Sequence, residues 1–340
     1  MTSIIGLAES GWVPDGLIRI GIRQLVRQRL REERRQPPNT KEQRTLALRD
    51  SVVALHTEEA NEQHYEVPTA FFQQALGPRL KYSACIYPDS SASLAEAEDH
   101  TLALYEERLE VRDGDRILDL GCGWGSFSLW MAQKNPSVRI TSVSNSATQK
   151  QYIEAQCDAL GLSNVQVITA DVNQLELPSA SFDKVISVEM FEHVRNYAVL
   201  LSRIADWLDK GGVLFTHIFC HKELIYPFEV EGESNWMGRY FFTGGLMPAA
   251  DTLPAFQDHL SLEERWLHDG THYEKTARHW LENMDANVPE VAQSMQDAYG
   301  EQQWEIWRQR WRMFFMACEE MFAYDRGREW LVAHYRFRKP

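Results

Sequence analysis

Two stretches hold residues whose types and spacing could do chemistry. Residues 188–193 read "VEMFEH", bringing Glu189, Glu192 and His193 into five positions. Two close carboxylates raise one another's affinity for protons, and an imidazole nearby can accept one near neutral pH. A metal site is the rival reading, but the motif straddles a strand end and a turn. It does not lie on two turns of one helix as in H-E-x-x-H, so no metal is expected. The structural alternative makes Glu189 a strand-end residue bonding backbone amides and Glu192 the cap of the next helix. The second stretch, "ILDLGCGWG" at 117–125, sets Asp119 at a strand end and then Gly121, Gly123 and Gly125 on alternate positions. Glycines let the backbone turn tightly and approach a ligand closely at a helix N-terminus. A pyrophosphate-binding loop would read G-x-G-x-x-G, and Asp119 would repel the phosphates. A carboxylate there suits a cationic or hydroxyl-rich ligand.

The elements that must position these residues alternate. "RILDL" (116–120), "VRITSVS" (138–144), "NVQVITA" (164–170), "DKVISVE" (183–189) and "GVLFTHIF" (212–219) read as strands. Helices fill the gaps between them: "SFSLWMAQK", then "ATQKQYIEAQCDALG" with Ser146 as its cap and Gly161 as its stop, then "NYAVLLSRIADWLDKGG". Strands alternating with helices predict βαβ units and a parallel sheet covered on both faces. The C-terminal end of the fourth strand, where Glu189 sits, then borders the crevice in which such sheets bind ligands. "WLVAHYRFRKP" closes the chain as an alternating strand. Residues 40–110 read as mostly helical, with breaks at "YEVP" and "LGPRLKYSACIYPDSS". Residues 226–260 are aromatic and Gly-rich with little periodicity, as a lid would be.

Composition narrows the partners. The 340 residues are 44% hydrophobic and 25% charged, ordinary for a globular protein. A formal net charge of −14 argues against nucleic acid. No run approaches the roughly 18 apolar residues of a membrane span, and the N-terminus lacks a signal-peptide core. The five scattered cysteines form no CxxC pair, which fits reduced thiols, speaks against a zinc ribbon and gives a cytoplasmic expectation. The segment 15–35 carries seven arginines against three acidic residues, with apolar side chains at helical spacing. A helix of that kind packs on its own protein or makes peripheral contact with an anionic membrane. "QPPNT" at 36–40 ends it.

The strand, the Asp, the alternating glycines and the following helix together resemble the S-adenosylmethionine loop of Rossmann-like methyltransferases. That resemblance assigns Asp171 of "TADV" to the adenine, with Val172 beside it. The acidic residue usual after the second strand is absent; Asn145 and Gln149 stand there and can still hydrogen-bond ribose hydroxyls. "YSACIY" (82–87), "LDLGCGWGS" (118–126), "MFEHVRNY" (190–197), "GTHYEKTARHW" (270–280) and "RQRWRMFFMACEEMF" (308–322) are similar to the cyclopropane-fatty-acyl-phospholipid synthase and mycolic acid methyltransferase superfamily. "HIFCHKE", "GRYFFTGGLMPA" and "FQDHLSLEERW" resemble its coclaurine N-methyltransferase branch. The likeness runs from about Asn61 to Arg338.

The resemblance implies a class I, Rossmann-like α/β fold with a mostly parallel seven-stranded sheet. It implies a helical N-terminal extension and cofactor cover over 1–110, and a methyltransferase domain over 111–340 with a lid at about 222–262. S-adenosyl-L-methionine is the implied cofactor, with Tyr82 and Ser83 closing over its methionine end and Asp119, Gly121 and Gly123 beneath. Glu189, Glu192 and His193 are implied to bind and deprotonate a small amine, cyclic or aromatic. The lipid-cyclopropanating relatives have glycine where Glu189 stands and use a bicarbonate base. Cys85, Glu192, His217 and Tyr273 would form that cage, so a lipid methylene transferase is the alternative. Trp236, Tyr240, Phe241 and Phe242 are candidates for an aromatic wall attracting the amine. His221 reads as an exposed loop residue, His272 as a base or a structural residue, and Cys318 as a buried small hydrophobe. A homodimer is compatible with the chain.

Overall fold

The computed structural model describes residues 4–54 and 67–340. The start of the likeness near Asn61 and the first half of "YEVP" lie outside the described residues. The central sheet is built from β1 (Arg116–Leu120), β2 (Arg139–Ser144), β3 (Val165–Thr169), β4 (Phe182–Val188) and β5 (Leu208–His221). A short ribbon of β6 (Tyr226–Pro227) and β7 (Leu246–Met247) follows, then β8 (Ser261–Asp269) and β9 (Trp330–Arg338). The seven-stranded order is β3-β2-β1-β4-β5-β9-β8. The first five strands are parallel; β9 enters antiparallel between β5 and β8.

The strands β1, β4 and β5 read as near-continuous apolar runs because helices cover both faces. Ser146 caps helix Ala147–Leu160 by accepting from the Gln149 amide, and Gly161 ends it in the left-handed region at φ 65°. β5 is longer than the expected 212–219, starting at Leu208 directly after helix Tyr197–Trp207. β8 was not expected. Its pattern alternates half-buried and exposed residues, because it is the edge strand and only one face is covered.

Before β1 the described helices are Ile4–Glu9, Asp15–Arg34, Thr40–Ala47, Thr69–Ala75 and Leu94–Leu109. Ser93 and Glu96 form a reciprocal capping box at the start of the last. The arginine-rich helix Asp15–Arg34 buries Ile18 and Leu30 and lies along helix Trp304–Phe322. Its arginines meet this chain's own acids: Arg19 and Arg23 pair with Glu320, and Arg34 pairs with Glu329. Among the described residues no helix is long and apolar enough to cross a membrane.

Candidate active site

The turn after β1 is shaped by its glycines. Gly121 has φ 83°, and a Cβ there would come within 2.8 Å of Met190 Cγ, so only glycine fits. The amides of Gly121 and Cys122 both donate to the Val143 carbonyl, tying the loop to β2. Asp119 is buried beneath it, and Ser128 Oγ donates to its carboxylate at 2.6 Å. Burial raises the Asp119 carboxyl to about 7, against the stabilising Ser128 bond. An isolated buried carboxylate of this kind calls for a cationic partner.

A cavity opens above this loop. Asp119, Gly121 and Gly123 form its floor, Asn145 and Gln149 its β2 side, and Asp171 and Val172 its β3 side. Tyr82 and Ser83 close the opposite wall, with Tyr105 beside them. The nine residues assigned to the cofactor from sequence thus converge on one space. Gln149 Oε1 accepts from Ser144 Oγ at 2.6 Å, which orients the amide. Its Nε2 is buried without a partner among the described residues, as is Ser126 Oγ in the same wall. Orphaned polar groups facing a cavity fit the hydroxyls of a ribose, and buried Asp119 fits an ammonium.

A second cavity adjoins the first, and the two share Tyr82, Glu189 and His193. Its remaining lining is almost wholly apolar: Phe219, Phe228, Met237, Phe242, Phe314, Cys318, Met321 and Phe322, with Tyr273. Glu189 follows the last residue of β4 with φ 47°, the left-handed region that costs a glutamate about 1 kcal/mol. Its carboxylate is held by three donors: the Ala84 amide at 2.9 Å and His217 Nε2 at 3.1 Å on Oε1, and the Tyr273 hydroxyl at 2.9 Å on Oε2.

Glu192 takes a different position from that expected. It lies in the short turn Phe191–His193, has no exposed surface and lines neither cavity. Its Oε1 accepts from the Phe219 amide at 2.7 Å; it does not cap the next helix, whose cap is Asn196. Burial, then the neighbouring Glu189 charge, push its carboxyl well above the usual carboxylate range. His193 is half-buried, with its ring 4.5 Å from that of Phe242.

Several sequence assignments to the amine pocket need correction. Phe241 is fully buried and stacks on Phe314 at 4.5 Å, away from the cavity lining. Trp236 donates to Glu9 and packs on Tyr240, whose ring lies under Arg310. The lid folds through helix Trp236–Tyr240, which turns Met237 inward and leaves the aromatic side chains flanking it in the packing. Phe242, the fourth of that cluster, does reach the cavity. Cys85 and His217 are fully buried and stand behind the lining. Burial pushes the Cys85 thiol up to about 12, so it stays protonated. His221 is buried on β5, 3.0 Å from Glu329, because β5 runs further than expected. His272 accepts from the Tyr87 amide at 3.1 Å, a structural contact. Among the described residues no cluster of His, Cys, Asp or Glu is arranged to hold a metal ion.

Other residues were not singled out from sequence. Lys81 is 2% exposed and donates to Ser83 Oγ at 2.7 Å and the Ala84 carbonyl at 2.5 Å, pinning the loop that reaches Glu189. Burial lowers its ammonium pKa. Tyr105, Arg108 and His334 gather behind His217. "YSACIYP" gave no sign that a lysine one residue earlier would be buried, since isolated lysines usually lie in water.

This geometry has counterparts among known proteins. The chain is 38% identical over 299 residues to (S)-coclaurine N-methyltransferase of Thalictrum flavum subsp. glaucum, covering 87% of this chain and 82% of that enzyme. To (S)-coclaurine N-methyltransferase of Papaver somniferum it is 36% identical over 338 residues, covering 97% and 96%. A crystal structure of a coclaurine N-methyltransferase bound to N-methylheliamine and S-adenosylhomocysteine superposes with a TM-score of 0.92, at 35% identity and 98% coverage of each chain. The class I fold and the S-adenosylmethionine cofactor follow from these likenesses and from the fit of the first cavity. Residues 54–328 match the family described as mycolic acid cyclopropane synthetase. With that match, a glycine loop over a buried carboxylate and a second cavity opening at Glu189, the chain belongs to this family of S-adenosylmethionine-dependent methyltransferases, in its coclaurine N-methyltransferase-like branch.

Proposed function

We propose that the chain N-methylates a small cyclic or aromatic amine, of the coclaurine-like kind named for its relatives, in the second cavity. One observation carries this reading: the Glu189 carboxylate stands where the two cavities meet, in an otherwise apolar chamber. A carboxylate offers about four acceptor sites, and three on Glu189 are taken by Ala84, His217 and Tyr273. The remaining site, on Oε2, accepts an N–H of the ammonium form. The rings of Phe219, Phe228 and Phe242 attract the same charge and exclude water.

Bound S-adenosylmethionine supplies an electrophilic methyl group on a sulfonium. An alkylamine is mostly protonated near neutral pH and cannot attack until its nitrogen lone pair is free. Glu189 orients the nitrogen, and His193, on the shared wall, takes its proton. Burial and the nearby Glu189 charge push the Glu192 carboxyl behind them well above the usual carboxylate range, which favours its neutral form and disfavours two adjacent negative charges in the pocket. Residues 1–110 act as the cofactor cover through Tyr82 and Tyr105, and residues 222–262 as the lid through Phe228, Met237 and Phe242.

The test is a screen of cyclic secondary and tertiary amines for S-adenosylhomocysteine release, run beside vesicles of unsaturated phospholipid. Turnover with soluble amines is expected. Labelled methyl appearing only in phospholipid would overturn the reading in favour of a lipid methylene transferase.

A further inference from the structure

Behind Glu189 runs a chain of hydrogen bonds whose direction is fixed at its far end. Arg108 Nη1 meets His334 Nδ1 on β9, His334 Nε2 lies 2.9 Å from His217 Nδ1 on β5, and His217 Nε2 lies 3.1 Å from Glu189 Oε1. All three residues behind Glu189 are buried. A guanidinium has donors and no acceptor, and it does not lose its proton in proteins. His334 Nδ1 facing Arg108 must therefore carry the lone pair, which places the His334 proton on Nε2. That proton points at His217 Nδ1, which must carry a lone pair in turn, leaving the His217 proton on Nε2. The last donor of the series is thus aimed at the carboxylate.

We infer that Arg108 and His334 are positioning residues for methyl transfer, locking His217 in the tautomer whose Nε2–H donates to Glu189. This rests on the reading of Glu189 as the amine-binding carboxylate. The charge environment agrees. Burial, followed by His217 and Arg108, holds His334 well below its ordinary value. Burial brings His217 down to about 4, against the Glu189 bond that favours its charged form. Lys81, Tyr105, His334 and Glu189 face His217 from the surrounding elements. Both rings are neutral, so the chain carries direction without carrying a second positive charge to compete with the substrate. His217 Nε2 already holds its proton and cannot take the amine's, which leaves that task to His193. The Tyr105 hydroxyl lies 2.6 Å from the same His217 Nδ1 and is the competing candidate for setting the tautomer.

Side-chain 15N spectra of histidine-labelled enzyme, saturated with S-adenosylhomocysteine, read the tautomer directly. In the wild type His217 is expected to show an unprotonated Nδ1 and a protonated Nε2. His334→Phe and Arg108→Met should each mix the two tautomers and lower kcat roughly tenfold to a hundredfold, with cofactor Kd unchanged. Tyr105→Phe should keep the wild-type tautomer. A protonated Nδ1 in the wild type, or a tautomer lost in Tyr105→Phe and kept in His334→Phe, overturns the inference. Unchanged cofactor Kd separates a folded variant from a misfolded one. The spectra need no amine, so they report on the chain of bonds even if the amine assay fails.

Discussion

Glu189 is joined to His217 twice: its amide donates to the His217 carbonyl at 2.8 Å, and its carboxylate lies 3.1 Å from His217 Nε2. Backbone and side chain bridge neighbouring strands at one point: the sheet fixes the Glu189 backbone, and the carboxylate can swing away only by breaking its bonds to Ala84, His217 and Tyr273. A catalytic group fixed in this way needs no rearrangement when its partner arrives.

Glu189→Gln keeps the shape and one acceptor but removes the charge that holds an ammonium. The amide NH2 must also stand either against the Ala84 and His217 donors on one side or against the Tyr273 hydroxyl on the other. Turnover of a soluble amine should fall roughly a hundredfold or more, with S-adenosylhomocysteine Kd within about twofold of wild type. Steady-state kinetics and calorimetric titration measure both; unchanged kcat would remove Glu189 from the mechanism.

Glu189→Gly leaves three donors around an empty site and relaxes the backbone at φ 47°, where glycine is at ease. Formate is small, anionic and planar like the missing carboxylate. Adding it should recover part of the lost turnover, saturably, in Glu189→Gly and not in Glu189→Gln. A flat formate titration in the glycine variant would argue against a preformed anion cradle.

With the cofactor ammonium proposed to sit over it, the buried Asp119 should make cofactor affinity depend on pH. Its folded value of about 7 exceeds the free value of 3.8, so the ligand-free protein holds this proton between those pH values. By linkage, this group's contribution to the ligand-free fold weakens as pH rises from about 4 to about 7. Ammonium binding favours the ionised form, with the opposite sign. Affinity for S-adenosylhomocysteine should therefore drop roughly tenfold per unit as pH falls below about 7. Asp119→Asn should flatten that slope in titrations between pH 5.5 and 8.

Neighbouring phenylalanines should separate packing from recognition. Phe241→Ala empties a site in the stacked core with Phe314 and Trp311 and should cost about 3–5 kcal/mol of stability. Phe242→Ala opens the second cavity, the one proposed to take the amine, and should raise KM for the amine roughly tenfold. Denaturant melts and amine kinetics on the two variants decide it; the reverse pattern would mean the lid packs differently around a bound amine.

The alternation of strands and helices was legible because buried parallel strands read as apolar runs and their helices carry caps such as Ser146 and Gly161. That Asp119, the glycines and Gln149 line one cavity was legible because the loop after β1 and the helix start after β2 place them close together in sequence. β8 was not, since an edge strand covered on one face looks like an ordinary polar segment. Of the four lid aromatics named from sequence only Phe242 lines the cavity, because a segment with little periodicity does not reveal which side chains turn inward. Tyr105, Arg108 and His334 were invisible for a different reason. More than 200 residues separate Arg108 from His334, and only the antiparallel insertion of β9 beside β5 brings them behind His217.

The shared wall of Tyr82, Glu189 and His193 has a use beyond the proposed methyl transfer. Two chambers that meet at a doorway can be filled by one tethered molecule. A nucleoside amino acid joined through its sulfur position to a cyclic amine would occupy both and gain the effective concentration that a short tether provides. Its nucleoside half would suit many enzymes of this fold. Its amine half would have to pass Glu189 and settle among Phe219, Phe228 and Phe242, and that is where a selective bisubstrate inhibitor would find its discrimination.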